Sequence, residues 1–196
     1  ASDSGNLKYV EKQYLPSGTL VKTAAVDFES GTGADTVELQ NCFNTTYDSY
    51  YFVIRRYLPE DDGDDFRFRC MTGTNTHVSS NDYNYGARYF DEDGNASSNT
   101  GASQSFFRIA DSVTNIQANG GLSATLFITL DRTDSSGNAF RFSGSGGFDD
   151  GSDKNHSIHM SGMLNDSTAN KAVTGIVVFP GNQIRKIHMT CYGITE

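Results

Sequence analysis

Positive charge is scarce in this chain. Fifteen Lys and Arg stand against 24 Asp and Glu over 196 residues, a formal net charge of −9 at pH 7. The isoelectric point is near 4.8. Binding to nucleic-acid phosphate rewards clustered Lys and Arg, so it is excluded as the primary role. Long apolar runs are missing too. No stretch approaches the ~20 residues that cross a bilayer, and no charged-then-apolar signal segment opens the sequence. Cysteine is sparse and odd in number. Cys42, Cys70 and Cys191 lie far apart, whereas a disulfide framework is even and dense. Cys42 and Cys70 have no Cys or His two to four residues away, and for Cys191 there is only His188, so the paired ligands of a zinc site are missing. Each sits in an apolar or alternating run, so all three read as buried free thiols of a chain folded in a reducing cytoplasm. No window carries a sustained apolar stripe at helical spacing.

What the sequence does contain is strands. Its hydrophobic fraction is only 36%, but 13 Phe and 10 Tyr bring large area per residue, enough for one domain with a core. Thr19–Phe28 is β-branched and bounded by Gly-containing turns. Tyr50–Tyr57 is dense in aromatic and β-branched residues and stops at Leu58-Pro59 and the acidic turn Glu60–Asp65. Phe66–Met71 then alternates with period two, placing Phe66, Phe68 and Cys70 on one face. The two runs read as a hairpin. Ser123–Leu130 places Leu126, Ile128 and Leu130 on one face and Phe127 on the other. Phe140–Gly144, Ile158–Gly162 and Ile187–Ile194 alternate again, and Val173–Phe179 reads as a fully buried strand ended by Pro180. The best helix candidate is one short turn near Asp111–Gln117. Eight or more strands between Gly, Asn, Asp and Ser turns predict an all-β antiparallel sandwich of jelly-roll type over 17–196. Residues 1–16 are polar and read as an extended arm, expected to lash the sandwich to a neighbouring subunit by adding a strand to an open sheet edge. The opening Ala1 reads as the residue left after removal of an initiator methionine.

Three acidic loops crowd oxygen ligands around a glycine: Glu60–Asp65, Asp91–Asn95 and Asp149–Asp153. Calcium takes six to eight such oxygens, but none of the loops has the spacing of an EF-hand. Asp and Asn are also the usual residues of β-turns, and solvated hairpin loops are the preferred reading. No cofactor is implied beyond that open calcium alternative. His77, His156, His159 and His188 are scattered, and His156 and His159, three apart in a strand, face opposite ways. No Gly-x-Ser-x-Gly elbow marks a nucleophile, and Ser143–Gly147 reads as a glycine-rich turn. The acids of a glycosidase pair would have to meet in space, yet nearly all the acids here lie in turns. Tyr83, Tyr85 and Tyr89 could form a stacking platform for a host-surface glycan. Cross-strand aromatic packing is the preferred alternative.

Two blocks carry a resemblance. Tyr47–Arg69 (YDSYYFVIRRYLPEDDGDDFRFR) runs a Tyr-Asp-x-Tyr strand into Pro and an acidic turn, then into a Phe-Arg-Phe-Arg strand. Ile184–Ile194 (IRKIHMTCYGI) closes on Tyr-Gly-Ile. This pattern resembles jelly-roll virion proteins of tailed bacteriophages, marine ones especially. Tyr83-Asn84-Tyr85 fits the aromatic segment that follows in that family, while its usual Gly-Gly is reduced here to Met71-Thr72-Gly73-Thr74. The resemblance implies a non-enzymatic protein of the virion surface, as capsid decoration or as a tail-fibre or spike tip. It implies contacts with other virion proteins, a homo-oligomer with the trimer favoured, and no catalytic residues. A carbohydrate-binding receptor module, using the three tyrosines with calcium in the acidic loops, is the alternative.

Overall fold

A computed structural model describes residues 18–130, 140–165 and 173–195. The expected arm at 1–16 lies outside them. Within them the chain forms strands β1 (Leu20–Ala34), β2 (Val37–Leu39), β3 (Ser49–Pro59), β4 (Asp64–Gly73), β5 (Thr76–His77), β6 (Tyr83–Asp91) and β7 (Ala96–Gln104). They continue as β8 (Phe107–Val113), β9 (Leu122–Leu130), β10 (Phe140–Asp149), β11 (Asn155–Leu164), β12 (Gly175–Phe179) and β13 (Ile184–Ile194). Two antiparallel sheets pack together. The large one has eight strands in the order β1-β13-β3-β9-β10-β11-β6-β7. The small one runs β2-β12-β4-β5, with β8 paired to β4. This is an all-β sandwich. Among the described residues, no helix is long and apolar enough to cross a membrane.

Period-two alternation does the sorting. In β9, Leu122, Ala124, Leu126, Ile128 and Leu130 are buried while Phe127 stands outside at 45% exposure. Phe66, Phe68 and Cys70 of β4 are buried together, as their spacing predicts. The centre of the core is aromatic. Phe107 has Phe68, Tyr83 and Phe142 within 4.7–4.9 Å, and Phe140 stacks on it at 5.9 Å. Each fully buried ring contributes on the order of 1.5–3 kcal/mol relative to an exposed one, so this cluster is the main adhesive between the sheets.

Three sequence expectations are corrected. β3 and β4 are not a hairpin: β3 belongs to the large sheet and β4 to the small one, so the acidic turn is a corner between layers. Tyr57 at the end of β3 meets Phe66 at the start of β4 edge to face at 4.9 Å, across that corner. Period two is the same for a hairpin and for a strand that changes sheet, so the pattern alone does not separate them. Ser143–Gly147 is not a turn but the middle of β10, paired on both sides with β9 and β11. Finally, Asp111–Val113 ends β8, and the short helical turn comes later, at Gln117–Asn119.

β1 and β13 lie side by side, from Leu20↔Ile194 to Glu29↔Lys186 and beyond to Ala34↔Ile184. Gly18 N–H donates to Thr195 O at 2.6 Å where the two strands leave the sheet. On the outer surface of this pair Lys186 meets Glu29 at 2.7 Å and His188 meets Asp27 at 2.6 Å. Charges along an edge strand discourage unwanted pairing with another sheet.

All three cysteines are free and buried, each 0% exposed. Burial pushes the thiols of Cys42 and Cys70 well up, and the thiolate is the reactive form. Because all three are fully covered, Cys191 included although its contact with Cys42 shifts its thiol the other way, the folded protein is expected to show no thiol to Ellman's reagent, and all three on unfolding in guanidinium. A fast-reacting thiol in the native state would contradict this placement.

Candidate functional site

The three tyrosines part company. Tyr83 and Tyr89 are buried, at 0% and 4% exposure, so neither offers a ring face to a sugar. Tyr83 Oη donates to Val78 O at 2.8 Å and accepts from Cys70 N–H at 3.1 Å. Tyr89 packs edge to face on Phe148 at 5.6 Å, its hydroxyl beside the Asn99 carboxamide without a hydrogen bond of good geometry. Tyr85 is half-buried against the core. Tyr83→Phe is expected to cost about 1–3 kcal/mol, because it leaves a buried N–H and C=O without their partner. Tyr89→Phe is expected to be near neutral. Equal losses in urea unfolding would contradict these assignments.

The acidic loops gather at one end of the sandwich. Asp64 accepts backbone N–H from Asp65, Gly181 and Asn182, each at 2.8 Å, and so ties the β3–β4 corner to the β12–β13 turn. Asp91 accepts from Asp93 and Asn95 N–H, the closed Asx geometry of a turn. Asp150 accepts from Ser152 and Lys154 N–H and faces His156 Nε2 at 3.0 Å. Lys154 reaches Asp93 at 2.8 Å, linking the second loop to the third. Among the described residues, no three His, Cys, Asp or Glu side chains are placed to hold a metal ion.

Between the layers at this end lies a charged clip. Asp65 Oδ2 accepts from Arg67 at 2.5 Å and from Arg108 at 3.3 Å. Arg108 also donates to Asn99 Oδ1 at 3.0 Å, and Asn99 Nδ2 donates to Asp111 Oδ1 at 2.9 Å. The clip joins β4 and β8 of the small sheet to β7 of the large one.

Two neighbouring acids are shifted in opposite directions. Burial, then the negative charges of Asp150, Asp153 and Glu92, push the Asp149 carboxyl up. For Asp150, burial works upward as well, but the hydrogen bonds from Lys154, His156 and Ser152 outweigh it and hold its carboxyl below the usual value. A raised carboxyl gives stability that is present below its unfolded value, 3.8, and lost as pH rises through the folded value. Asp149→Asn is therefore expected to raise the thermal midpoint at pH 7, and the gain should vanish below about pH 4. A loss at pH 7 would show that the carboxylate is needed in its charged form.

The large sheet's outer face divides into two halves. Over β13, β3 and β9, Tyr192, Tyr51 and Phe127 are cross-strand neighbours in one row. Val53, beside Thr190 and Thr125, lies in the next row. Over β11, β6 and β7 the surface sinks into two adjoining depressions of about 450 and 390 Å³. They share Gly86 and Ser161 and so form one trough. Asn84, Arg141 and Met163 flank one end, and Arg88, His159, Ser98 and Thr100 the other. Neither depression is lined by a carboxylate, so neither presents the acid pair of a glycoside hydrolase. Sequence reasoning missed this trough, because its walls come from four strands; the legible signal was a glycine inside a strand at position 86. No family model, curated protein or solved structure matches the chain.

Proposed function

We propose that this chain is a non-enzymatic structural protein of a bacteriophage particle, exposed on the particle surface as capsid decoration or fibre tip. It acts through contacts between subunits. The observation that carries the subunit-contact reading is the row Tyr192–Tyr51–Phe127, aromatic side chains set side by side on an outer sheet face. Tyr and Phe are enriched where subunits meet, because a large apolar body there keeps a polar tip or edge wet.

Two further features support the setting. With β5–β7 and β10–β11 set aside, the chain alternates between layers in two runs of four strands, β1 to β4 and then β8, β9, β12 and β13, with β4 and β8 together in the small sheet where the runs join. That winding favours a jelly roll, a fold common in capsid proteins. The blocks Tyr47–Arg69 and Ile184–Ile194, which carry the resemblance to phage virion proteins, form the β3–β4 corner and β13.

Analytical ultracentrifugation tests the contact. The wild-type chain is expected to sediment as an oligomer, a trimer by the resemblance. Phe127→Asp should sediment as a monomer with an unfolding free energy within about 0.5 kcal/mol of wild type, as for other exposed positions. A monomeric wild type at tens of micromolar would remove the subunit-contact reading. Failure to find the chain by mass spectrometry in purified particles would remove the virion.

A further inference from the structure

Gly86 has no reason to be glycine in the fold itself. At three other glycines of this sheet the requirement is plain, although Gly31 near the end of edge strand β1 is as open as Gly86: a Cβ at Gly144 or Gly146 would come within 2.3 Å of a carbonyl oxygen on β9, and one at Gly193 within 2.2 Å of the Tyr47 ring. At Gly86 a Cβ would meet nothing within 4 Å, and the backbone is not in the left-handed region. A glycine inside a strand also marks a place where something else approaches the backbone closely. Gly86 lies at the shared centre of the trough, where among the described residues nothing fills the space over it.

The charge on this half of the face contrasts with the whole molecule. At the outward positions 141–147 of β10, 157–163 of β11, 84–90 of β6 and 96–102 of β7 there is no carboxylate, in a chain with 24 of them. The ionisable side chains at those positions are Arg141, His159 and Arg88, with His159 and Arg88 directly paired across β11 and β6. The trough's other walls are the short polar groups Ser98, Thr100, Ser161 and Asn84 and the apolar Met163, and beyond its end the Arg88 guanidinium lies over the exposed Phe90 ring at 5.3 Å. From Arg88 to Asn84 the trough runs four residues along β6, roughly 13 Å. Hydroxyl and amide groups beside a guanidinium suit a ligand that is itself hydroxylated and carries scattered negative charge. Two guanidinium groups and one imidazole on an acidic chain are too few for a nucleic-acid backbone.

We propose that the trough over β11, β6 and β7 binds a linear acidic saccharide, one bearing carboxylate or sulfate groups, with Arg88 and His159 meeting the acid group and Gly86 admitting the sugar ring against the strand. The groove is offset from the aromatic row by β10, whose Ser143 pairs with Phe127 on one side and Ser161 on the other. It places saccharide recognition away from Tyr83 and Tyr89, which the core has taken.

Affinity electrophoresis of the full chain through gels holding alginate, dextran sulfate or plain dextran, beside a single-stranded DNA mobility shift, tests the assignment. Retardation is expected in alginate or dextran sulfate and not in dextran. Gly86→Tyr, whose Cβ meets nothing within 4 Å and whose ring would occupy the trough, is expected to weaken that binding about tenfold or more with an unfolding midpoint close to wild type. Arg88→Gln with His159→Gln should weaken it similarly, and serves if the tyrosine variant does not fold. The proposal is overturned if neither acidic polysaccharide retards the protein, or if the variants bind as wild type does. It is equally overturned if DNA is bound as strongly as the glycans, which would mean unselective attraction to polyanions.

Discussion

Replacing Phe107 by alanine is expected to destabilise the sandwich by about 3–5 kcal/mol. The residue is completely buried, and it is the ring at which the two sheets meet: β8 brings it from the small sheet to Tyr83 of β6 and Phe140 and Phe142 of β10 in the large one. Phe68 fills its other side at 4.9 Å. Truncation loses the transfer free energy of the ring and leaves a cavity whose walls are themselves rigid aromatics, poorly able to collapse into it. The thermal midpoint should fall by roughly 10 °C or more for a domain of this length. Phe107→Leu, which fills most of the volume, should lose less than half as much. Urea unfolding measures both, and an alanine variant within about 1 kcal/mol of wild type would mean the layers are held elsewhere.

The second large effect is steric. Gly146→Val is expected to prevent β10 from pairing with β9, because a Cβ there would lie 2.3 Å from Ser123 O and 2.8 Å from Ala124 Cα. Both neighbours are backbone, so no side chain can turn aside to make room. Overpacking a core with extra methylenes costs about 1–3 kcal/mol. A collision with a paired backbone costs more, and the expected outcome is protein that expresses insolubly or shows no cooperative unfolding transition. Ser145→Val makes a fair control: the position is exposed on the opposite face and lies between the two glycines. If Gly146→Val unfolds cooperatively within about 1 kcal/mol of wild type, the close approach of β9 is not what fixes that glycine.

These two positions also mark how far the sequence can be read. Alternation in Leu126-Phe127-Ile128 was enough to place one side chain outside and two inside, because a strand has only two faces. It did not say which layer a strand joins. Phe66 and Phe68 alternate in the same way whether β4 returns beside β3 or crosses to the other sheet, and a contact between Tyr57 and Phe66 is open to either course. The Ser-Gly run 143–147 suggested a turn because glycine is commonest there. Its real cause is a neighbouring backbone, which no local pattern records. For Tyr83 and Tyr89 the face was legible and its cover was not: the core side of β6 lies under Phe107 and Phe148. The trough needed four strands in register before its walls could be seen together.

The pairing of β1 with β13 has a mechanical consequence. Both strands leave the sheet at the same place, where Gly18 and Thr195 are joined. Pulling those two ends apart would load the rungs of the ladder one after another, as a zip opens, and not all at once as in shear. A domain tethered through both ends would yield early under tension. Anchored through one end alone, it would carry no load across that seam.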